Sequence, residues 1–210
     1  QQPQISNNDK EKLEVIYRNA NRMNYLINEL LTFSKIEMKQ MRISVRKGDI
    51  MHFLEELSHI FDIVAGEREI DFIVNLEDTE EEVWFSPSKL ERILYNLLSN
   101  AFKYTQPGGY VKLSAKLIKE EKGTFVQISV KDNGRGIPKE AQEQIFESYY
   151  QVEKRDHREG FGLGLSLTRS LIHMHKGEIR VESEINKGSD FIVTLNVSED
   201  AYNPDERSSE

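Results

Sequence analysis

The sequence predicts one α/β domain with an amphipathic helix ahead of it, and three observations carry that prediction. A chain of 210 residues has room for one such domain and a helical extension. Residues 110–117 and 125–130 alternate apolar and polar positions, the period of two expected of half-buried strands. Between residues 88 and 104, Leu90, Ile93, Leu94, Leu97, Leu98 and Ala101 recur at steps of three and four, which buries one stripe of a helix.

Taken in order, residues 1–9 are polar and read as loop. Leu13, Ile16, Ala20, Met23, Ile27 and Leu30 then form the seam of a helix that packs in a bundle. An isolated helix cannot bury such a seam without a partner. Residues 38–45 carry the chain into the domain, where Asp49 is placed to cap a helix with Ile50, Phe53, Leu54, Leu57, Ile60, Phe61 and Val64 inward. Residues 70–76 and 82–85 read as strands, and Ser86-Pro87 starts the helix of residues 88–104. In the strand of residues 110–117, Val111, Leu113, Ala115 and Leu117 point inward, and it pairs with residues 125–130 through a turn at 119–123. Residues 179–183 and 191–197 form a closing hairpin around Asn186-Lys187-Gly188. From Ser198 onward, acidic and small polar residues predict a disordered tail or a linker. No internal repeat is present. The expected division is therefore 1–40 for the helical segment, 41–197 for the α/β domain and 198–210 for the tail.

Composition narrows the function classes. A net charge of -8 argues against a nucleic-acid footprint. The chain has no Cys. It carries no apolar run near the ~20 residues that span a bilayer and no signal-peptide pattern. A cytoplasmic location is expected, with any membrane anchoring supplied by segments outside this chain.

Two glycine-punctuated segments carry the chemistry. Asp132-Asn133-Gly134-Arg135-Gly136-Ile137-Pro138 follows a strand, and Gly160-Phe161-Gly162-Leu163-Gly164-Leu165 runs into the helix-like residues 165–172. Glycines allow positive φ or a close backbone approach to a ligand. At a helix start, unpaired N–H groups and the positive end of the helix dipole favour anions. Neither segment is a Walker loop or a dinucleotide fingerprint.

Asn96, Asn100, Lys103 and Tyr104 lie at i, i+4, i+7 and i+8, a second stripe beside the apolar one. Asn is a mediocre helix former, and two of them one turn apart suggest a liganding role. An Asn carbonyl can join a Mg²⁺ shell shared with phosphates, and Lys103 can meet phosphate charge. Asp132, delivered at a strand end, suits the exocyclic amine of adenine as a hydrogen-bond donor. Each feature alone has a plainer reading: a turn for either glycine segment and for Asp132-Asn133, a solvated face for the Asn stripe. Their combination in this order favours a nucleotide pocket.

Asn96-Leu97-Leu98-Ser99-Asn100-Ala101-Phe102-Lys103-Tyr104-Thr105 resembles the N box of sensor histidine kinases. Asp132-x-Gly134-x-Gly136 resembles their first glycine box, Gly160-x-Gly162-x-Gly164-Leu165 their second, and Phe146-Glu147-Ser148-Tyr149-Tyr150-Gln151 the F box between them. The resemblance spans about residues 13–197. It implies the Bergerat ATP-binding fold of the GHKL superfamily, an α/β (α+β) two-layer sandwich with a mixed sheet packed on helices. ATP would lie among Asn96, Asn100, Lys103, Tyr104, Asp132, Gly134, Gly136, Ile137, Gly160, Gly162, Leu163, Gly164 and Leu165. Asp132 would hold adenine, Asn100 Mg²⁺, Asn96 and Lys103 would serve the transfer itself, and residues 147–160 would form a lid. One lid cation among Lys154, Arg155 and Arg158 would reach the γ-phosphate. The first 40 residues resemble the second helix of the family's dimerisation and phosphoacceptor hairpin. That implies a homodimer in the full-length protein and a response-regulator receiver domain as partner, with a hybrid kinase as one form of the parent.

Gyrase-like, MutL-like and chaperone ATPases of the superfamily carry a Glu one turn before the metal-binding Asn to activate water. This chain has Asn96 there, which is no base near neutral pH, so transfer is favoured over hydrolysis. The acceptor pattern, His followed by Glu or Asp and then Pro, occurs at none of His52, His59, His157, His173 and His175. Many family members have Arg at the position of Ser148 and Phe at that of Tyr149, and some have Arg at that of Gln151; these departures leave open an ATP-binding module without transfer. A GHKL ATPase is the least favoured class.

Overall fold

Burial of one helical stripe decides how the layers of the molecule meet. The computed structural model describes residues 41–151 and 162–208, together with scattered positions between 12 and 38. Helix α2 (Pro87–Tyr104) buries Leu90, Ile93, Leu94, Leu97, Leu98, Ala101 and Phe102, the predicted stripe with Phe102 added. Pro87 opens it at a position where a missing N–H costs nothing, and Thr105 closes it in an extended conformation. Against the stripe lies a five-stranded sheet built from β2 (Asp71–Leu76), β4 (Tyr110–Glu120), β5 (Gly123–Asp132), β6 (Glu178–Glu184) and β7 (Gly188–Asn196), in the order β2-β4-β5-β7-β6. The β2–β4 pair is parallel and the rest are antiparallel, so the sheet is mixed. Strands β1 (Arg46–Asp49) and β3 (Glu82–Phe85) form a separate antiparallel pair.

The period of two places alternate residues on opposite sheet faces. Val111, Leu113, Ala115, Val126, Ile128, Val130, Phe191, Val193 and Leu195 enter one core with α1 (Ile50–Arg68), α2 and α3 (Gly164–Met174). On the opposite face Lys112 pairs with Lys131 and Ser114 with Ser129, a polar surface that needs no covering layer. The expected two-layer α/β sandwich is therefore present.

Two expectations are corrected. Asp49 caps α1 by accepting the His52 N–H at 2.9 Å, as predicted. Ile60, however, is 54% exposed. The seam that α1 buries runs through Met51, Leu54, Ser58, Phe61 and Ala65, with Ile50 beside it. Small Ser58 and Ala65 allow close approach, and the Ser58 hydroxyl is satisfied by the Glu55 carbonyl at 2.7 Å. Hydrophobicity alone weights the competing seam through Ile60 more heavily.

The second correction concerns the tail, whose composition predicted disorder or a linker. Residues 199–201 and 204–206 form short 3₁₀ turns, and Val45 pairs with Arg207 in a parallel bridge. The Val45 N–H donates to the Glu206 carbonyl at 2.7 Å, and the Ser208 N–H to the Val45 carbonyl at 2.8 Å. Tyr202 anchors this strap in a small second core with Ile43 and Val45, beside Trp84 and Met174. Its hydroxyl donates to the Asn196 carbonyl at 2.5 Å.

At the N-terminal side the described positions between 12 and 35 are helical. Leu13, Ile16, Met23, Ile27 and Leu30 of the predicted seam are exposed. Thr32 is buried and accepts a hydrogen bond from Arg92 of α2 at 2.7 Å.

His175, at the C-terminal end of α3, ties that helix to the start of α2. Its Nδ1 donates to the Leu171 carbonyl at 3.0 Å, which leaves Nε2 to accept the Ser86 N–H at 3.2 Å. Only the neutral ring satisfies both bonds. Burial holds its pKa down at about 4, with the bond to Leu171 opposing and the charge of Lys89 assisting. A depressed pKa contributes stability that is present above the unfolded value near 6.5 and is lost as pH falls through about 4. Thermal or urea unfolding followed from pH 7 to 4 should show a loss on the order of 3 kcal/mol from this group, and His175→Gln should flatten that slope. For the strap, Tyr202→Ala should cost about 3 kcal/mol in urea unfolding through the cavity it leaves, and Tyr202→Phe about 1 kcal/mol through the lost hydrogen bond.

Candidate functional site

The polar stripe of α2 receives contacts from two directions. Near its middle, the first turn of α3 packs against Asn96. A Cβ on Gly164 would lie 2.6 Å from Asn96 Oδ1, so glycine lets the helix start meet that amide without moving it. One turn further along α3, buried Thr168 accepts a hydrogen bond from Asn96 Nδ2 at 2.7 Å. Asn100 Nδ2 in turn donates to Asn96 Oδ1 at 3.5 Å, a long contact. Asn96, Asn100, Gly164 and Thr168 thus form one cluster.

A second cluster sits about 12 Å further along the axis, two turns on. Strand β5 ends at Asp132, paired across the sheet with Val111 and Ser189. Asp132 Oδ1 accepts the Gly134 N–H at 2.8 Å. A Cβ on Gly134 would collide with the Tyr104 carbonyl, so the strand end and the end of α2 approach backbone to backbone. Tyr104 is covered by two cations, with the Arg135 guanidinium 4.3 Å and Lys103 Nζ 4.7 Å from the ring centre. Lys103 also donates to the Tyr104 hydroxyl at 3.0 Å.

Asp132 is 5% exposed. Burial pushes its carboxyl above the usual range, against the lowering effect of N–H donors from Gly134 and Ser189, and the Asp190 charge adds to the rise. A buried carboxylate in that state gains from any further donor brought to it.

The remaining predicted residues fall in three places. Gly136, at φ +69, and Ile137 lie against the β6–β7 turn: the Arg135 carbonyl accepts from Asn186 at 2.8 Å and the Ile137 N–H donates to the Ser183 hydroxyl at 2.8 Å. Leu163 is buried at the N-cap of α3, and Leu165 is half-buried on the core. Gly162, at φ +70, accepts the Tyr149 N–H at 2.9 Å, which makes the ends of residues 149–162 neighbours. Gly160, Lys154, Arg155 and Arg158 lie outside the described residues.

Sequence reasoning missed Thr168, Ser189 and Arg135. Thr168 had a local signal, since it stands at i+4 from Gly164 on the same helix face. Ser189 had none, because only strand pairing brings it to Asp132. Among the described residues no group of three or more His, Cys, Asp or Glu could hold a metal ion. A cation here would take an amide oxygen, of which Asn100 has one left, and draw its other ligands from a phosphate-bearing substrate and water. That donor set suits Mg²⁺, which keeps several waters and is bound largely through substrate phosphates.

Residues 85–199 match the family described as histidine kinase-, DNA gyrase B-, and HSP90-like ATPase, and the chain belongs to it. Its similar relatives are sensor kinases. It is 34% identical over 190 residues to sensor histidine kinase WalK of Bacillus subtilis, covering 90% of this chain and 31% of the relative. It is also 34% identical over 195 residues to histidine kinase P4 of Formosa agariphila, covering 90% of this chain and 14% of that one. The chain therefore spans less than a third of either relative's length. Among solved structures, the catalytic domain of histidine kinase ThkA matches at TM-score 0.63 and 27% identity, covering 74% of this chain and 99% of that one. Full-length ShkA in complex with AMPPNP matches in fold at TM-score 0.80 and 24% identity, covering 93% of this chain and 40% of that one.

If adenine donates to Asp132, binding favours the ionised carboxylate, so nucleotide affinity should fall as pH falls into the acidic range. Asp132→Asn should weaken ATP by about 1–3 kcal/mol at pH 7 and lose that pH dependence. Calorimetric titrations with a non-hydrolysable ATP analogue at several pH values check both.

Proposed function

We propose that this chain is the ATP-binding catalytic part of a two-component sensor histidine kinase. It would transfer the γ-phosphoryl group of ATP to a histidine outside these 210 residues, for relay to an Asp of a response-regulator receiver domain. The observation that carries the reading is Asn96. It occupies the stripe position where hydrolytic members of the superfamily resemble one another in bearing Glu, and its amide is engaged with Thr168 and Asn100. With no base there to activate water, the phosphoryl group waits for a nucleophile that is brought in.

The roles follow from placement. Asp132 holds the adenine amine, and the first turn of α3, with its unpaired N–H groups, faces the phosphates. Lys103 adds a cation to the same stripe. Asn100 would hold Mg²⁺, which supplies charge neutralisation at the phosphates. The incoming imidazole nitrogen forms a bond to the γ-phosphorus, the bond from that phosphorus to the bridging oxygen breaks, and ADP leaves with the electron pair. The imidazole sheds its proton to solvent or a neighbouring base of the acceptor segment.

The exposed seam Leu13, Ile16, Met23, Ile27 and Leu30 supports a homodimer through the N-terminal helix. Among the described residues no helix is long and apolar enough to cross a membrane. The ATP requirement assigns the chain to the cytoplasmic side, with any anchor in other segments of the parent.

The test uses a longer chain that carries an upstream acceptor histidine, γ-labelled ATP and Mg²⁺. Acid-labile, alkali-stable label on that chain is the expected result. Tight nucleotide binding with no label would reduce the protein to a regulatory module, the reading that Ser148, Tyr149 and Gln151 leave open. Rapid phosphate release by the 210-residue chain alone would make it an ATPase.

A further inference from the structure

The ordered tail grips the segment through which the N-terminal helix joins the domain. Met41 still belongs to the helical side, since its N–H donates to the Lys35 carbonyl at 3.2 Å. From Arg46 onward the chain belongs to the domain, because β1 pairs with β3. Four residues, 42–45, lie between these two anchors. Ile43 and Val45 are buried while Arg42 and Ser44 are exposed, the alternation of an extended segment with one face covered. The strap supplies that cover. Tyr202 packs on Ile43 and Val45, and both backbone groups of Val45 are taken by the strap: its N–H donates to the Glu206 carbonyl at 2.7 Å and its carbonyl accepts the Ser208 N–H at 2.8 Å. Among the described residues, no backbone hydrogen bond joins residues 42–44 to the domain. The strap is in turn fixed to the domain. Tyr202 donates to the Asn196 carbonyl, Glu206 meets Lys176 at 3.9 Å, and the Arg207 guanidinium lies 5.9 Å from the centre of the Trp84 ring.

We propose that residues 199–208 are a clasp that holds the N-terminal helix at one orientation to the α/β domain. Each linker residue carries two soft backbone dihedrals. With the clasp closed, Ile43 and Val45 are fixed on either side of Ser44, and the free stretch shrinks to Arg42. With it open, residues 42–45 become a four-residue hinge. Opening also puts two apolar side chains and both backbone groups of Val45 into water, which keeps the clasp closed at rest. A second link between helix and domain is the hydrogen bond from Arg92 to Thr32 at 2.7 Å. That is one contact made by a long rotatable side chain, which does not fix a helix axis. A change that draws the strap from Val45 therefore frees the helix and the domain to move against each other. The clasp uses none of the residues assigned to the nucleotide, so it stands apart from that reading.

The chain has no Cys, so a pair of introduced cysteines labels it cleanly. Spin labels at Lys12→Cys on the helix and Glu121→Cys in the β4–β5 turn, both exposed positions, report the helix-to-domain distance by pulsed EPR, with excess unlabelled chain added. Hydrogen exchange at the Val45 amide, set against the amides of β5, reports the clasp, and so does the fluorescence of Trp84, the single tryptophan. The parent should give one narrow distance and a protected Val45 amide. In Tyr202→Ala, Val45 exchange should rise by about tenfold or more with β5 unchanged, Trp84 emission should shift, and the distance distribution should broaden. A broad distribution in the parent overturns the proposal, and so does unchanged Val45 exchange in Tyr202→Ala. A narrow distance beside fast Val45 exchange also overturns it, since the helix is then held elsewhere. Should Tyr202→Ala unfold the domain, seen as β5 amides exchanging together with Val45, the double variant Arg207→Ala with Ser208→Pro decides. It leaves Tyr202 in place and removes the stacking on Trp84 and the N–H that donates to Val45. A broadened distance is expected there, and a parent-like one overturns the proposal.

Discussion

Helix α2 carries two stripes, and burying one of them orients the other. Seven of its residues are sealed in the core, from Leu90 to Phe102. Each large one contributes about 1.5–3 kcal/mol on burial, against about 1 kcal/mol for a typical hydrogen bond. The rotation of the helix is therefore set by apolar contact, and Asn96, Asn100, Lys103 and Tyr104 face where that rotation leaves them. Polar contacts then fix position along the axis. Ser86 is held by His175 at the start, Asn96 meets Gly164 in the middle, and the Tyr104 carbonyl meets Gly134 at the end. Because His175 and Gly164 stand at opposite ends of α3, the two helices that flank the cluster are tied twice.

The parts of the fold legible in the sequence are those whose signal is local. The α2 stripe, the alternation in β4 and β5, and the turn at Asn186-Lys187-Gly188 each depend on neighbours within one element. Ile60 was misread because α1 offers two apolar seams, and the choice between them belongs to the layer it packs on. The tail was misread because composition averages over residues, whereas order at 199–208 hangs on Tyr202 finding Ile43 and Val45 more than 150 positions away. In the site the same boundary applies. Asn96, Asn100 and Asp132 stand out by type and spacing, but Ser189 reaches Asp132 only through strand pairing, and Arg135 reaches Tyr104 only through the turn that Gly136 permits.

The glycines were read first as concessions to a ligand, and the structure sharpens that. The Tyr104 carbonyl leaves no room for a side chain at Gly134, and one at Gly164 would force the Asn96 amide to move. Both bring backbone against α2, so the described parts of the proposed pocket are held together by the protein's own contacts. Preorganisation of this kind leaves less ordering cost for the ligand to meet. Asp132 shows the opposite tendency, since burial raises its carboxyl while only two backbone donors support the anion. A donor brought to it would therefore stabilise the anion further, and in the proposed pocket the adenine amine would be that donor.

Asn96 shows why such a site would hold a phosphoryl group without spending it on water. Its Nδ2 is committed to Thr168 and its Oδ1 to Asn100, with Gly164 against the amide face. A Glu at this position would be longer by one methylene and would carry a charge with no donor in Thr168's place but a single hydroxyl. It would lose the amide N–H₂ that now donates to Thr168 across the two helices. The contact between the two helices is therefore made through a side chain that offers no base to activate water. On the proposed reading, retention of the phosphoryl group until an acceptor arrives rests on that amide, which ties the helices together and cannot take a proton from water near neutral pH.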